Sequence, residues 1–204
     1  MKPLDRDSLE FARLHLIEAD PVLAELIHRV GPCSLKRQTN RYRNLLRAIV
    51  GQQISAAAAK SVFRRLEAAV ETSTLQPESV AKLSDEQLRS VGLSSQKSRY
   101  IRDLTEHVLD GRLKLRSLHH RSDEEVIDLL TDVKGIGHWT AQMFLMFSLG
   151  RPDVLPWGDL GIQNAMKKLY QLDELPDRFH CYNLAEPWRP YSTVACLYLW
   201  KTID

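Results

Sequence analysis

The stretch DLLTDVKGIGHWTAQMFLMFSLGRPDVLPWGDLGIQNAM, from Asp128 to Met166, restricts what this chain can fold into more than any other. Its pattern predicts a helix ending at Leu130 or Thr131, a turn Val133-Lys134-Gly135-Ile136-Gly137, and a second helix from His138 to Leu149. A third helix opens at Asp159, after Pro156 and Gly158. Glycine at alternate positions of an interhelical turn supplies positive φ and lets a second group come close to the backbone. The helix that follows sends its unpaired first amides, and the positive end of its dipole, out through the same turn. Such a corner suits a phosphate oxygen. It serves equally as a plain bend between helices, so the turn alone does not decide.

The rest of the chain reads as helix. No β-branched alternation of useful length occurs, and no Asn-Gly or Asp-Gly pair joins two such runs. Asp7 or Ser8 is placed to cap a first helix running to Glu18, and Asp20-Pro21 to open a second that Gly31-Pro32 ends. A helix from about Arg41 carries Leu45, Leu46, Ile49 and Val50 on one face. Gly51-Gln52-Gln53-Ile54 interrupts it, and Ser55 caps the next, Ala56 to Val70, whose alanine run predicts close packing. A loop is expected over Glu71 to Gln76. Short helices are expected over Pro77–Leu83 and Asp85–Val91, then a longer one from Ser95 or Gln96 to Leu109. Leu113 to Arg121 reads as connecting chain. Ser122 and Glu125 form a capping box before the central stretch. Gln171 to Pro187 is mixed, and Tyr191 to Lys201 is a last, apolar helix. The expected class is all-α.

With 204 residues and 44% apolar content the chain can bury a real core. Its net charge of +2 announces no polyanion. The distribution says more: Arg41, Arg43 and Arg47 lie in a stretch from Cys33 to Arg65 that holds no acidic residue, and Lys97 and Arg99 open a second basic stretch. Local basic surface on a near-neutral chain fits one anionic face. Cys33, Cys181 and Cys196 are too far apart for a metal motif or disulfide framework, and read as reduced thiols. The pair His119-His120 reads as solvated loop rather than a metal site. The N-terminus MKPLDRDSLEF is charged from the start and predicts neither signal peptide nor membrane span. A soluble, intracellular monomer with no membrane association is expected, in cytoplasm or nucleoid if the source is bacterial and in the nucleus if eukaryotic.

Leu130, Val133, Gly135-Ile136-Gly137 and Trp139-Thr140-Ala141, with Asp159 some twenty residues on, resemble the helix-hairpin-helix DNA glycosylase superfamily. The Gly-Ile-Gly-x-Trp-Thr-Ala form is similar to its 3-methyladenine DNA glycosylase II branch. The likeness extends to Ala48–Ser55 upstream and Pro187–Tyr191 downstream. It implies a two-lobed fold with a cleft between the lobes, one from both chain ends (about 1–50 and 155–204) and one from the middle (about 51–154). Because the chain begins almost directly with helical core, it resembles the compact form that lacks an N-terminal mixed α/β domain.

Asp159 is then the expected catalytic carboxylate, which would stabilise the positive charge that builds on the sugar as an N-glycosidic bond breaks. Aspartate at that position also caps a helix, and it can do both. Superfamily members that also nick the strand carry a lysine where this chain has Trp139, and an indole cannot form a Schiff base. The resemblance therefore implies a monofunctional enzyme that excises alkylated purines, chiefly 3-methyladenine, from double-stranded DNA. 7-Methylguanine and ethenoadenine stand as further substrates. Trp139, Trp157 and Trp188 are expected to wall the base pocket, since an indole face favours a cationic base. Met143 and Leu160 stand where pocket shape is set. Gln53 or Ile54 would fill the gap left by the flipped base. Lys134, Gly135, Gly137, His138 and Thr140 would contact phosphate, alongside the five basic residues. The carbonyls of Thr131, Val133 and Ile136 would face a structural Na+ or K+; no cofactor is required, and the four-cysteine iron–sulfur motif is absent. A non-catalytic DNA-binding module, and a glycosylase for oxidised or mismatched bases, are the alternatives.

Overall fold

The structure, a computed structural model, describes residues 3–70 and 74–202. Among these there is no strand; twelve α-helices and three shorter turns of helix make up the ordered chain. They fall into two compact units, one of residues 38–144 and one of residues 1–37 with 145–204. The division expected after residues 50 and 154 thus falls instead after 37 and 144. Helix α3 (Arg41–Gly51) explains the first shift. It buries Tyr42, Leu45, Leu46, Ile49 and Val50 among the helices that follow it.

The central unit continues with α4 (Ala56–Ala69), α5 (Pro77–Ala81), α6 (Asp85–Ser90), α7 (Ser95–Leu109), α8 (Asp123–Thr131) and α9 (His138–Phe144). Its boundaries follow local chemistry. Ser55, Ser84, Ser94 and Ser122 each accept a first-turn amide, and Ser122 with Glu125 closes the expected capping box. Two expectations fail here. Ala56, Ala57 and Ala58 are exposed, so only Ala59 of the alanine run turns inward, toward Gly51. Leu115–His120 is a 3-10 turn rather than loose connection, because Leu115 and Leu118 lie three apart and both bury. Of the loop expected over 71–76, residues 71–73 lie outside the described residues.

The second unit holds α1 (Arg6–Ala19), α2 (Pro21–Val30), α10 (Leu160–Leu169), α11 (Arg178–Ala185) and α12 (Ser192–Trp200). Asp5, not Asp7 or Ser8, caps α1, in a box with Ser8. Helix α11 was not expected at all; Asp177 caps it and Cys181 and Ala185 anchor it. Helix α12 is apolar nearly all round and correspondingly buried. The second hairpin helix does not run unbroken to Leu149: after Phe144 the chain widens into a π turn, Leu145–Leu149.

At the centre of this unit sits Asp20, only 6% exposed. Its Oδ1 accepts the Val22 and Leu23 amides as the cap of α2. Its Oδ2 accepts the Tyr170 hydroxyl at 2.5 Å and the Trp188 indole N–H at 2.8 Å. A buried carboxylate is tolerable only when its lone pairs are answered in this way. Burial, then Asp20 itself, pushes the Tyr170 phenol well above its ordinary range.

Candidate active site

In the central unit, the hairpin turn is braced from outside its own sequence. Gly135 has φ +84°, and a Cβ there would lie 2.1 Å from the Tyr100 ring, so that ring packs directly on the glycine. Asp103 Oδ2 accepts the Lys134 amide at 2.8 Å, and its Oδ1 lies 3.4 Å from Lys134 Nζ. Burial raises the Asp103 pKa, but the Lys134 amide and ammonium outweigh it and hold the carboxyl below its ordinary range. Gln52 Nε2 donates to the Gly135 carbonyl at 2.7 Å. Val133 and Ile136 are buried, while Lys134, Gly137, His138 and Trp139 face solvent, Trp139 at 50% exposure. A Cβ on Gly137 would meet nothing within 4 Å. Thr140 is buried, which withdraws its side chain from the expected phosphate contacts.

The five expected steering cations divide. Arg47 and Arg99 are exposed. Arg43 stacks on Phe63 and is paired at 2.7 Å with Glu67, a carboxylate that lies just beyond the acid-free stretch. Arg41 donates to the Leu115 and Arg116 carbonyls, holding the 3-10 turn. Lys97 Nζ donates to the Val50 carbonyl at 2.7 Å, and burial lowers its pKa. Arg41 and Lys97 are therefore structural braces first. Replacing Arg47 or Arg99 by alanine should flatten the dependence of log affinity on log salt by about 0.9, the share of one phosphate. Arg43→Ala should flatten it less, because Glu67 already offsets that charge. Equal slopes for all variants and the parent chain would place the DNA elsewhere.

In the other unit, Asp159 heads α10 and is half-buried. Its Oδ1 accepts the Ile162 amide at 2.9 Å, so it is a helix cap. The same oxygen accepts the indole N–H of Trp200 at 3.1 Å. Trp200 in turn stacks on Phe147, ring centroids 6.0 Å apart. Two N–H donors converging on one oxygen hold the carboxylate in a fixed orientation. The sequence did not disclose this contact of Trp200 with Asp159. Trp200→Phe should keep the stack on Phe147 and lose the N–H. About 1.5 kcal/mol, hence roughly tenfold in single-turnover rate, is expected, with DNA affinity unchanged. A normal rate would remove Trp200 from the mechanism.

The three expected pocket tryptophans fare differently. Trp188 is 0% exposed with its N–H spent on Asp20, and cannot wall a base pocket; it is core. Trp157 is half-buried and carries the Arg178 guanidinium 5.7 Å from its ring centroid, with Tyr182 on that guanidinium as well. Trp139 is half-exposed at the surface of its own unit. Met143 is half-buried, and Leu160, at 61% exposure, projects beside Asp159 in sequence. Gln53 and Ile54 are both exposed, and Gln53 holds φ +56°. His119 and His120 are exposed, and no acidic, cysteine or histidine cluster suited to a metal occurs among the described residues.

A glycine hairpin between two helices, followed by an aspartate that caps a later helix, is the pattern of the helix-hairpin-helix class of DNA-repair proteins. The chain belongs to the HhH-GPD superfamily of base excision DNA repair proteins, whose pattern matches residues 46–190. The solved DNA-3-methyladenine glycosidase of Bacillus halodurans is 41% identical, with a TM-score of 0.86 over 99% of this chain and 92% of that one. The 3-methyladenine DNA glycosylase of Schizosaccharomyces pombe, solved in complex with abasic DNA, is 33% identical with a TM-score of 0.82, covering 94% and 95%. The Bacillus subtilis relative YfjP is 34% identical over 169 residues, 80% of this chain; the chain spans 59% of that protein's length.

Proposed function

We propose that this protein is a monofunctional DNA glycosylase that excises alkylated purines, chiefly 3-methyladenine, and leaves an abasic site. The observation that carries this reading is Asp159, a half-buried carboxylate whose Oδ1 is held by the Ile162 amide and the Trp200 indole. As the C1′–N bond breaks, its electron pair passes to the cationic base, which leaves neutral. The carboxylate stabilises the cationic sugar left behind. Water then adds to C1′ and gives up a proton to the carboxylate or to solvent. An N-alkylated purine is a good leaving group already, so no general acid is needed. The exposed Trp139 offers an electron-rich face to such a cation, worth about 1–2 kcal/mol over a neutral base. It also stands in place of a Schiff-base lysine, which leaves the strand unbroken.

The hairpin and the exposed Arg47 and Arg99 take phosphates, and Gln53 or Ile54 enters the gap left by the flipped base. The carbonyls of Thr131, Val133 and Ile136, at the end of α8 and in the turn that follows, are hard oxygen donors of the kind Na+ or K+ takes. Val133 already accepts the Ile136 amide at 3.1 Å and keeps a second lone pair for an ion. The enzyme acts as a monomer on intracellular DNA. No helix among the described residues is long and apolar enough to cross a membrane. The test is excision from duplexes that each carry one lesion, scored by alkali cleavage at the product. Strand breaks that appear only after alkali, with 3-methyladenine released fastest, are expected. Strand nicking without alkali, or preference for an oxidised base, would overturn the reading.

A further inference from the structure

Gln52 stands between two parts of the central unit that act on DNA at different points. One residue later the chain enters the left-handed region at Gln53, φ +56°. Residues with side chains hold that conformation where their surroundings enforce it. Three ties enforce it here. The Gln52 amide donates to Ile49 O at 3.3 Å, Lys97 Nζ fixes the Val50 carbonyl at 2.7 Å, and Ser55 caps α4 immediately after. The fourth tie leaves the turn altogether: Gln52 Nε2 donates to Gly135 O at 2.7 Å, across 83 positions of sequence. The peptide after Gly135 is planar, so holding its carbonyl also sets the Ile136 N–H, which donates to Val133 O at 3.1 Å. Both hydrogen-bonding groups of the central hairpin peptide are thereby engaged, one with Gln52 and one within the turn.

We propose that Gln52 is a positioning residue that couples the phosphate-binding hairpin to the base-displacing turn Gln53-Ile54. The inference rests on the assignment of those two elements given above. A phosphate seated on the hairpin amides fixes the Gly135 carbonyl, and through the Gln52 amide fixes where Gln53 and Ile54 meet the stack. Grip on the backbone and entry into the duplex are then one event rather than two. The bond needs a donor at Gln52, which carboxylate and thioether side chains of similar length lack.

The variants are Gln52→Glu and Gln52→Met, each checked by circular dichroism; should one fail to fold, the other is read. The first measurement needs no catalysis: 2-aminopurine placed opposite an abasic analogue brightens when it is unstacked. At saturating protein this signal should fall at least about twofold, while affinity for undamaged duplex stays within about twofold of the parent. The second is single-turnover excision. Loss of coupling should slow release of a lesion paired in duplex about tenfold, yet change release by less than about threefold where the lesion lies opposite a second abasic site and is already unstacked. Equal losses on both substrates, or an unchanged 2-aminopurine signal, would overturn the coupling and leave Gln52 as a purely structural tie. If the parent chain excises no lesion, the proposed function fails by itself, and the 2-aminopurine signal still decides the coupling.

Discussion

Replacing Asp159 with asparagine is expected to slow single-turnover excision of 3-methyladenine by about 100-fold or more while leaving the fold and DNA binding in place. Asparagine keeps the side-chain oxygen that accepts the Ile162 amide and the Trp200 indole, and caps helices about as well as aspartate. What it removes is the negative charge. A fixed charge beside a developing cation, in a partly dry site, is worth roughly 3 kcal/mol or more in the transition state, which is that factor in rate. Affinity for an abasic analogue should hold or rise, since a negative charge has left a surface that meets DNA. Excision by Asp159→Asn within a few-fold of the parent rate would reduce Asp159 to a cap and remove the mechanism with it.

The two hairpin glycines should separate stability from binding. At Gly135 the backbone is left-handed and a new Cβ would sit 2.1 Å from Tyr100 Cδ2, well inside contact. Backbone strain of about 1–2 kcal/mol and overpacking of about 1–3 kcal/mol together predict a loss near 3 kcal/mol for Gly135→Ala. In a domain of this size that is a melting temperature lower by about 10 °C. Gly137 carries no such constraint, for its φ is not left-handed and nothing lies within 4 Å of the added carbon. Gly137→Ala should therefore melt within a degree or two of the parent. Under the proposed phosphate-binding role of the turn its methyl group obstructs the approach, and affinity for abasic and undamaged duplex should fall about tenfold alike. Thermal melts and fluorescence anisotropy read the two effects separately. Unchanged affinity in Gly137→Ala would exclude the hairpin as a phosphate site, and parent-like melting of Gly135→Ala would contradict the Tyr100 packing.

These contrasts mark where sequence reading works. Capping is short-range, so Ser122 with Glu125, Asp20 with Pro21, and Ser55 all declare themselves within a few residues. The helical class, the hairpin turn and the helix cap at Asp159 were legible for the same reason, each being a local pattern at fixed spacing. What was not legible depends on partners far along the chain. Nothing near Trp188 says that its N–H meets Asp20 across 168 positions, so its burial could not be told from the half-exposure of Trp139. Trp200 finds Asp159 across 41 positions, and Asp103 finds Lys134 across 31. Arg43 looked unopposed only because Glu67 lies two residues beyond the basic stretch. Helix α11 escaped because most of it faces solvent, with Phe179 and Tyr182 outward, so it shows no clean apolar stripe.

The partition of the chain also sets an order of assembly during synthesis. Residues 38–144 are contiguous, and every element of that unit, hairpin included, is available once residue 144 has been made. The other unit is built from both ends: Asp20 emerges early and waits for Tyr170 and Trp188, 150 and 168 positions later. Domains form as their residues emerge from the ribosome, and a long closure comes last. The half that carries the hairpin is therefore complete before the half that carries the carboxylate. A chain released from translation before residue 159 has the hairpin and no Asp159.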